Sequence, residues 1–160
     1  MQRYSLDANI LIEAKNGPYG FDIVPAFWKW LDEQISKERI FCSKFVYDEI
    51  VYGDDELAVW IKERKKRGFI VEPNDSAQII FKDIADYVGK NYPSHRSSEF
   101  LAGADPWIIA QAKSEKAIVV TGEVLAPNTT RKVKIPNICK EFKVPCMGTY
   151  DVLRKLKASF

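Results

Sequence analysis

The chain has few of the residues that zinc sites and disulfide frameworks need. Its 160 residues include a single histidine, His95, and three cysteines, Cys42, Cys139 and Cys146, with no CxxC pair. An odd number of cysteines leaves one thiol unpaired in any intramolecular disulfide scheme, and a Cys/His zinc site would lack ligands at the usual spacings. We therefore expect buried, reduced thiols, as in cytosolic proteins.

Long apolar runs are also missing. No stretch of the sequence is apolar over the length that a bilayer crossing needs, and the first residues lack the apolar core of a signal peptide. We therefore expect a cytoplasmic protein with no membrane partner. The phosphate-binding patterns GxGxxG and GxxxxGK[ST] are absent as well, which argues against a nucleotide-binding Rossmann enzyme.

Positive and negative charges are nearly equal in number, but the positive charges are unevenly distributed along the chain. The formal net charge is +2, too small to indicate a nucleic-acid binder by itself. Basic residues nevertheless cluster in three places: Lys62, Arg64, Lys65, Lys66 and Arg67; Arg131, Lys132 and Lys134; and Arg154, Lys155 and Lys157. Such clusters are typical of phosphate-binding surfaces and equally of solvated helix faces, and the sequence leaves both interpretations open.

What is present favours one α/β domain. A hydrophobic content of 46% in 160 residues suffices for one core, so residues 1–160 are predicted to form a single domain. Strand-like and helix-like apolar patterns alternate, which predicts a parallel sheet flanked by helices. We predict strands at 3–6, 39–42, 69–71, 117–121 and 144–147. We predict helices at 22–36, from Ser43, from Asp54 to Gly68, from 77 to about 91, from Asp105, at 136–142 and from Thr149, with loops at 94–98 and 123–135.

Four acidic residues follow predicted strands or lie in predicted helices: Asp7, Glu49, Asp105 and Glu123. Side chains just past the carboxyl ends of parallel strands face the crevice where α/β sheets bind ligands. Ligands that are all oxygen suit Mg²⁺ or Mn²⁺, and these ions suit phosphodiester hydrolysis. The pattern indicates a metal-dependent nuclease in which the four carboxylates are metal ligands and catalytic residues.

Each carboxylate also has a structural interpretation. Asp105, directly before Pro106, could be a helix N-cap, and Asp7 could form a turn. Asp48 could be the ligand in place of Glu49. The loop that follows Glu123 could carry its side chain into solvent.

The same positions resemble a PIN domain. The segment SLDANILI, the helix with Asp48-Glu49-Ile50, the segment GADPWIIAQA and the segment VVTGE follow the order and approximate spacing of that family over nearly the whole chain. The closing KIPNICKEFKVPCMGTYDVL resembles a PIN-like branch of uncharacterised bacterial and archaeal proteins. The chain departs from the common pattern at Glu123, where aspartate is more usual, and in the long helical region between Asp54 and Asn91.

The resemblance implies a three-layer α/β/α sandwich with a central parallel sheet of four to five strands. It further implies a ribonuclease that uses Mg²⁺ or Mn²⁺, often the toxin of a toxin-antitoxin pair, with RNA and a cognate antitoxin as partners and a possible homodimer. Asp7, Glu49, Asp105 and Glu123 would take the four acidic places, accompanied by Asn9 and Thr121. We assign candidate RNA contacts to four basic residues: Lys65, Lys66, Arg67 and Arg96.

Two other classes are compatible with parts of the pattern. A PIN-like module that binds RNA or protein without cutting would keep the fold but would tolerate neutral residues at the acidic positions. Phosphatases of the haloacid dehalogenase type carry the pattern Asp-x-Asp after the first strand. In this chain the residue two positions after Asp7 is Asn9 instead of a second aspartate. The presence of all four acids favours the nuclease.

Overall fold

A computed structural model describes residues 1–127 and 132–160, and in this part of the chain five strands form one parallel sheet. The strands are β1 (Tyr4–Leu6), β2 (Ile40–Ser43), β3 (Ile70–Val71), β4 (Ile118–Val120) and β5 (Cys146–Met147), in the spatial order β3-β2-β1-β4-β5. Tyr4 at the centre pairs with Ile40 on one side and with Ile118 on the other. Residues 128–131, which include Arg131 of the second basic cluster and part of the predicted loop, lie outside the described residues.

The connections between the strands are helical. The helices are α1 (Ala8–Asn16), α2 (Pro25–Ser36), α3 (Lys44–Tyr52), α4 (Glu56–Arg64), α5 (Asp75–Asn91), α6 (Ser94–Ala102), α7 (Asp105–Ser114), α8 (Ile135–Glu141) and α9 (Thr149–Lys155). A 3₁₀ turn, Lys65–Arg67, follows α4 and ends at Gly68, whose φ of 75° lies in the left-handed region that glycine adopts without strain.

The order of the strands places the helices in two outer layers. From β1 the chain moves to β2 and β3 on one side, and it then returns across the sheet to β4 and β5 on the other. Because parallel crossovers are right-handed, the helices of the two halves cover opposite faces. Accordingly α1, α3 and α4 pack on one another, and α7 packs on α5, α6 and α8. The predicted three-layer sandwich is confirmed.

The core fills both interfaces between the sheet and the helices. Leu11, Phe27 and Ile61 are fully buried from the first half of the chain, and Ile84 and Ile108 from the second. Within residues 1–127 and 132–160, none of the helices combines the length and the apolar character that a membrane crossing demands.

The predicted loop at 94–98 is wrong, because these residues begin helix α6. The helix buries only a small part of its surface, through Ser97 and Phe100, so its sequence has no apolar stripe. The Ser97 hydroxyl donates a hydrogen bond to the Val88 carbonyl at 3.0 Å, which replaces a hydrophobic contact with a polar one.

Two helix starts also differ from the prediction. Helix α1, which the sequence patterns did not indicate, begins directly after Asp7. Helix α2 begins at Pro25 instead of residue 22, because proline is suited to the first helical position and restricts the residue before it to a non-helical conformation.

The cysteines are unpaired, as expected. Cys42 and Cys139 are buried, but Cys146 is exposed on β5, so the expectation of buried thiols is wrong for that residue. β5 is an edge strand of the sheet, and no other strand among the described residues pairs with its outer side.

Candidate metal centre

The four candidate carboxylates come from separate elements and meet at one edge of the sheet. Asp7 follows β1, Glu123 follows β4, Glu49 lies in α3 after β2, and Asp105 is the first residue of α7. The strands are parallel, so their carboxyl ends share this edge, and β1 and β4 flank the point where the strand order reverses. Open α/β sheets bind ligands at such a point.

Asp7 is fixed by hydrogen bonds before any ligand binds. Its side chain is buried at 2% exposure. Oδ2 accepts a hydrogen bond from the Thr121 hydroxyl at 3.0 Å, and Oδ1 accepts a longer one from the Asn9 backbone N–H at 3.4 Å. Burial raises the pKa of Asp7 to about 6, against the lowering effect of these two hydrogen bonds and with a smaller contribution from the charges of Glu123 and Glu49. Thr121 therefore supports Asp7 through its hydroxyl, whereas Asn9 does so through its backbone.

Asp105 has the higher pKa of the two aspartates. The pKa of Asp105 is raised to about 7, chiefly by burial and then by the charges of Asp7, Glu123 and Glu49, with a partial offset from Lys132. Within the described part of the chain, no hydrogen bond to the Asp105 carboxylate is present. The surroundings of Asp105 therefore disfavour its ionised form, and its carboxylate oxygens remain available to bind a cation.

The alternative that Asp105 is a helix N-cap is wrong. The N-cap residue is Ala104, and no side chain caps this end of α7. Asp105 is itself the first helical residue, with Pro106 at the second position.

Glu49, and not its neighbour Asp48, belongs to this cluster. Oε1 of Glu49 accepts a hydrogen bond from the Ala104 backbone N–H at 3.2 Å, next to Asp105. Asp48 instead pairs with Lys44 one turn earlier, at 3.3 Å, with 51% of its side chain exposed. The Glu49 side chain is exposed at the rim of the site.

Glu123 is held back from solvent by the helix that follows its loop. Its Oε2 accepts a hydrogen bond from the Ile135 N–H, at the first residue of α8, at 2.8 Å. Its own backbone N–H donates to Thr121 Oγ1 at 3.1 Å. The same threonine thus links the Asp7 carboxylate to the backbone of Glu123.

The donor set fits a hard divalent ion, although its side chains are not arranged as a finished coordination shell. Across residues 1–127 and 132–160, no three His, Cys, Asp or Glu side chains are grouped closely enough to hold a metal. Glu49 and Glu123 are both turned toward backbone N–H groups. The pKa values of Asp7 and Asp105 are raised by burial and by like charges, and a divalent cation offsets both effects.

The candidate RNA contacts divide between two places. Arg96 lines a cavity that also includes Asp105 and Lys132, so it lies beside the carboxylates. Lys65, Lys66 and Arg67 precede β3 and therefore lie near the opposite edge of the sheet, where the strands begin.

Lys132 was not selected as a site residue from the sequence. It was recognisable only as a member of a basic cluster, and no sequence signal connects it with Asp105, which is 27 positions away.

The fold is similar to that of several solved structures. Similar solved structures include VapBC2 from Rickettsia felis bound to a DNA fragment from their promoter, with a TM-score of 0.56, 16% identity, and coverage of 92% of this chain and 98% of that chain. DNA-bound VapBC from Salmonella typhimurium has a TM-score of 0.55 and 18% identity, with coverage of 92% and 98%. FitAcB from Neisseria gonorrhoeae has a TM-score of 0.54 and 20% identity, with coverage of 90% and 96%. At these identities the likeness establishes the fold, which is the PIN-like sandwich that the sequence predicted.

The family follows from the sequence itself. Residues 4–160 match the family described as Domain of unknown function (DUF4411), and the chain belongs to that family. No curated protein matches the chain.

Proposed function

We propose that this protein is an endoribonuclease that hydrolyses RNA with Mg²⁺ or Mn²⁺ held by Asp7, Glu49, Asp105 and Glu123. The observation that carries the proposal is the convergence of four carboxylates from four elements on the ligand-binding edge of a PIN-like sheet. The raised pKa values of Asp7 and Asp105 support it, since like charges close together at a partly buried site are unfavourable until a cation binds.

The residues have separate roles in this proposal. When bound, a divalent ion supplies Lewis-acid activation of water and neutralises charge on the phosphate. Asp7 is oriented in advance by Thr121, so its geometry does not depend on the ligand. Glu49 and Glu123 accept hydrogen bonds at the starts of α7 and α8, respectively, and they would complete the ligand set for the ion.

We further propose that the protein acts in the cytoplasm as the toxin of a toxin-antitoxin pair. The support is the likeness of its fold to VapBC2 and FitAcB, together with the resemblance of its sequence to PIN domains, many of which are toxins of such pairs. A cognate antitoxin and RNA are the partners in this proposal, and homodimers are compatible with it. Lys65, Lys66, Arg67 and Arg96 remain proposed RNA contacts.

Cleavage of labelled RNA tests the catalytic proposal. A mixed pool of single-stranded and structured RNAs is incubated with wild type, Asp7→Asn, Asp105→Asn or Glu49→Gln, in Mn²⁺, in Mg²⁺ and in chelator. Each substitution preserves shape and removes charge, so each is expected to lower metal-dependent cleavage at least 100-fold. Asp48→Asn is the matched control, because Asp48 neighbours Glu49 in sequence but faces Lys44, and it is expected to cleave like wild type.

The outcomes separate the enzyme from a binding module. Cleavage that needs metal and is lost in the three variants supports the site. Equal cleavage by all four proteins would exclude it. RNA binding without cleavage by wild type in either metal would favour a non-catalytic PIN-like module.

A further inference from the structure

A small cavity adjoins the candidate metal centre on the side of α6. Its volume is about 170 Å³, and its lining residues are Arg96, Glu99, Phe100, Asp105, Lys132 and Val133. Ligand sites for whole drug-sized molecules have volumes of roughly 300–1,000 Å³, so this cavity is too small for a nucleotide. It has room for a compact polar group.

The two cations in this cavity are incompletely paired. Arg96 donates from Nη1 to Glu99 at 3.2 Å, and its buried Nε has no hydrogen-bond partner in the described part of the chain. Lys132 is exposed and forms no ion pair with the described residues. Among the described residues of the lining, Glu99 and Asp105 are the acids, and Glu99 is already engaged with Arg96.

We propose that Arg96 and Lys132 form a subsite that binds the RNA phosphate next to the scissile one. This inference rests on the proposed function. A guanidinium with free N–H groups and an ammonium are the side chains that bind phosphate oxygens most strongly, the first through its planar fork and the second as a point charge. The cavity shares Asp105 with the carboxylate cluster, so a phosphate bound there would be a close neighbour of the reacting one along the strand.

The subsite also answers an electrostatic difficulty. Four carboxylates repel a polyanionic substrate. The three cations of the 3₁₀ turn, Lys65, Lys66 and Arg67, precede β3 and so lie toward the amino ends of the strands, away from the carboxylates. Of the described residues, Arg96 and Lys132 are the basic ones that line the cavity beside Asp105. They would hold the strand in place on the α6 side and so fix which phosphate reaches Asp105.

Equilibrium binding tests the subsite without cleavage. Binding of a fluorescent single-stranded RNA of mixed sequence is measured in chelator over a range of salt concentrations for wild type, Arg96→Gln and Lys132→Gln. Each variant is expected to bind about 5- to 10-fold more weakly near 0.1 M salt, with a log-log salt slope less negative by about 0.7 for the lost phosphate contact.

Two charge-matched variants serve as controls. Lys134→Gln removes a lysine two positions from Lys132, outside the cavity lining. Arg154→Gln removes an arginine from α9, where 78% of the side chain is exposed. Both are expected to bind within twofold of wild type, and thermal midpoints verify that all four variants are folded. If Arg96→Gln and Lys132→Gln bind like the controls, or if wild type binds no RNA, the subsite is excluded.

A modified substrate locates the contact and separates the two proposals. At a mapped cleavage position, the phosphates on either side of the scissile one are replaced in turn by neutral methylphosphonates. One replacement is expected to raise KM for wild type about as much as Lys132→Gln raises KM for the unmodified RNA. When Lys132→Gln acts on that modified RNA, KM is expected to be no higher than with either change alone. Additive effects at both positions would exclude the subsite while leaving the nuclease intact. Normal RNA binding through the subsite without any cleavage would instead exclude the nuclease.

Discussion

Asp105 illustrates how a candidate catalytic residue opposes the stability of the fold that holds it. Its pKa is raised to about 7 from an ordinary value of 3.8, with burial as the largest cause. The folded protein therefore keeps a proton that the unfolded chain releases at lower pH. In the metal-free protein, this group lowers the free energy of unfolding progressively as pH rises from about 4 to about 7.

Asp105→Asn is expected to stabilise the metal-free protein at pH 8, because asparagine carries no charge to bury. The gain should be on the order of 1–3 kcal/mol at pH 8 and close to zero at pH 3.5, where the aspartate is protonated in the folded state and mostly protonated in the unfolded state. Urea unfolding in chelator at the two pH values measures it. Asp48→Asn, at an exposed position, provides the reference. A stabilisation that is equal at both pH values would contradict the assignment to charge.

Thr121 joins two parts of the site through one hydroxyl. That hydroxyl donates to Asp7 Oδ2 at 3.0 Å and accepts from the Glu123 N–H at 3.1 Å. Thr121→Val keeps the shape but leaves both groups without this partner, so it should cost about 1–3 kcal/mol of stability and raise the pKa of Asp7 further. Calorimetric titration should also show weaker Mn²⁺ binding. Thr121→Ser keeps the hydroxyl, and it should retain most of the Mn²⁺ affinity; equal losses for valine and serine would point to packing instead.

At the scale of elements, the start of α7 is held by an aromatic stack. The Trp107 ring lies against Phe81 of α5, with centroids 4.1 Å apart, and against Phe45 of α3, at 4.8 Å. Both contacts are stacked, and they link α7 to helices on opposite faces of the sheet. This stack fixes the position of Asp105 relative to Glu49.

Trp107→Leu should therefore lower both stability and activity. The loss of stacking and buried area should cost about 2–3 kcal/mol in urea unfolding. Metal-dependent RNA cleavage should fall in addition, because Asp105 loses its fixed relation to α3. Trp107→Phe keeps a ring at the site and should lose less on both measures. A destabilised Trp107→Leu protein with wild-type cleavage below its unfolding temperature would show that the stack does not position the site.

A second pair of elements is joined by charge. The Asp32 carboxylate of α2 accepts hydrogen bonds from Arg64 Nη2 at 2.8 Å and from Arg67 Nη1 at 3.2 Å. Burial alone would raise the pKa of Asp32, but the hydrogen bonds and charges of Arg64 and Arg67 outweigh it and lower the pKa. One of the proposed RNA contacts, Arg67, therefore already has a structural partner.

Asp32→Asn should destabilise the protein near neutral pH. A lowered folded-state pKa contributes stability above the unfolded value of 3.8, and this contribution is lost as pH falls through the folded value. The partly exposed pairs should be worth about 1 kcal/mol in urea unfolding at pH 7. The difference between wild type and variant should shrink toward pH 2. A difference that stays constant over this range would mean that packing, and not ionisation, connects α2 to α4.

At the scale of the whole molecule, metal binding and stability should be linked through pH. A ligand that binds only the folded state at 100 times its dissociation constant stabilises by about 2.7 kcal/mol. Mn²⁺ should therefore raise the thermal midpoint strongly at pH 8, and less at pH 5, where Asp7 and Asp105 hold protons. The shift should vanish in Asp7→Asn. An equal shift at both pH values would indicate binding outside this cluster.

The sequence patterns did not predict the order of the strands in the sheet, although they predicted most of the strands and helices. Buried strands such as Ile118–Val120 and apolar-striped helices such as Asp75–Asn91 have strong local signals, and both were predicted within a few residues. Helix α6 was missed, because its buried contacts are a serine hydroxyl and one phenylalanine. Local sequence patterns reveal an element through the periodicity of its apolar residues, and an element with little buried surface lacks this periodicity.

The amino-acid sequence by itself determined the alternation of strands and helices, and it determined where the carboxylates fall on them. Asp7 and Glu123 were identifiable because a strand end is a local feature, and parallel strands end at a common edge. Only the tertiary structure decided which groups lie next to each other. Glu49 accepts a hydrogen bond at the start of α7, whereas Asp48 pairs with Lys44. Asp105 does not cap its helix, and it lines one cavity with Arg96 and Lys132. These relations depend on how helices distant in the chain pack across the sheet, and the rotation of a side chain about its helix is set by that packing and not by its neighbours in sequence.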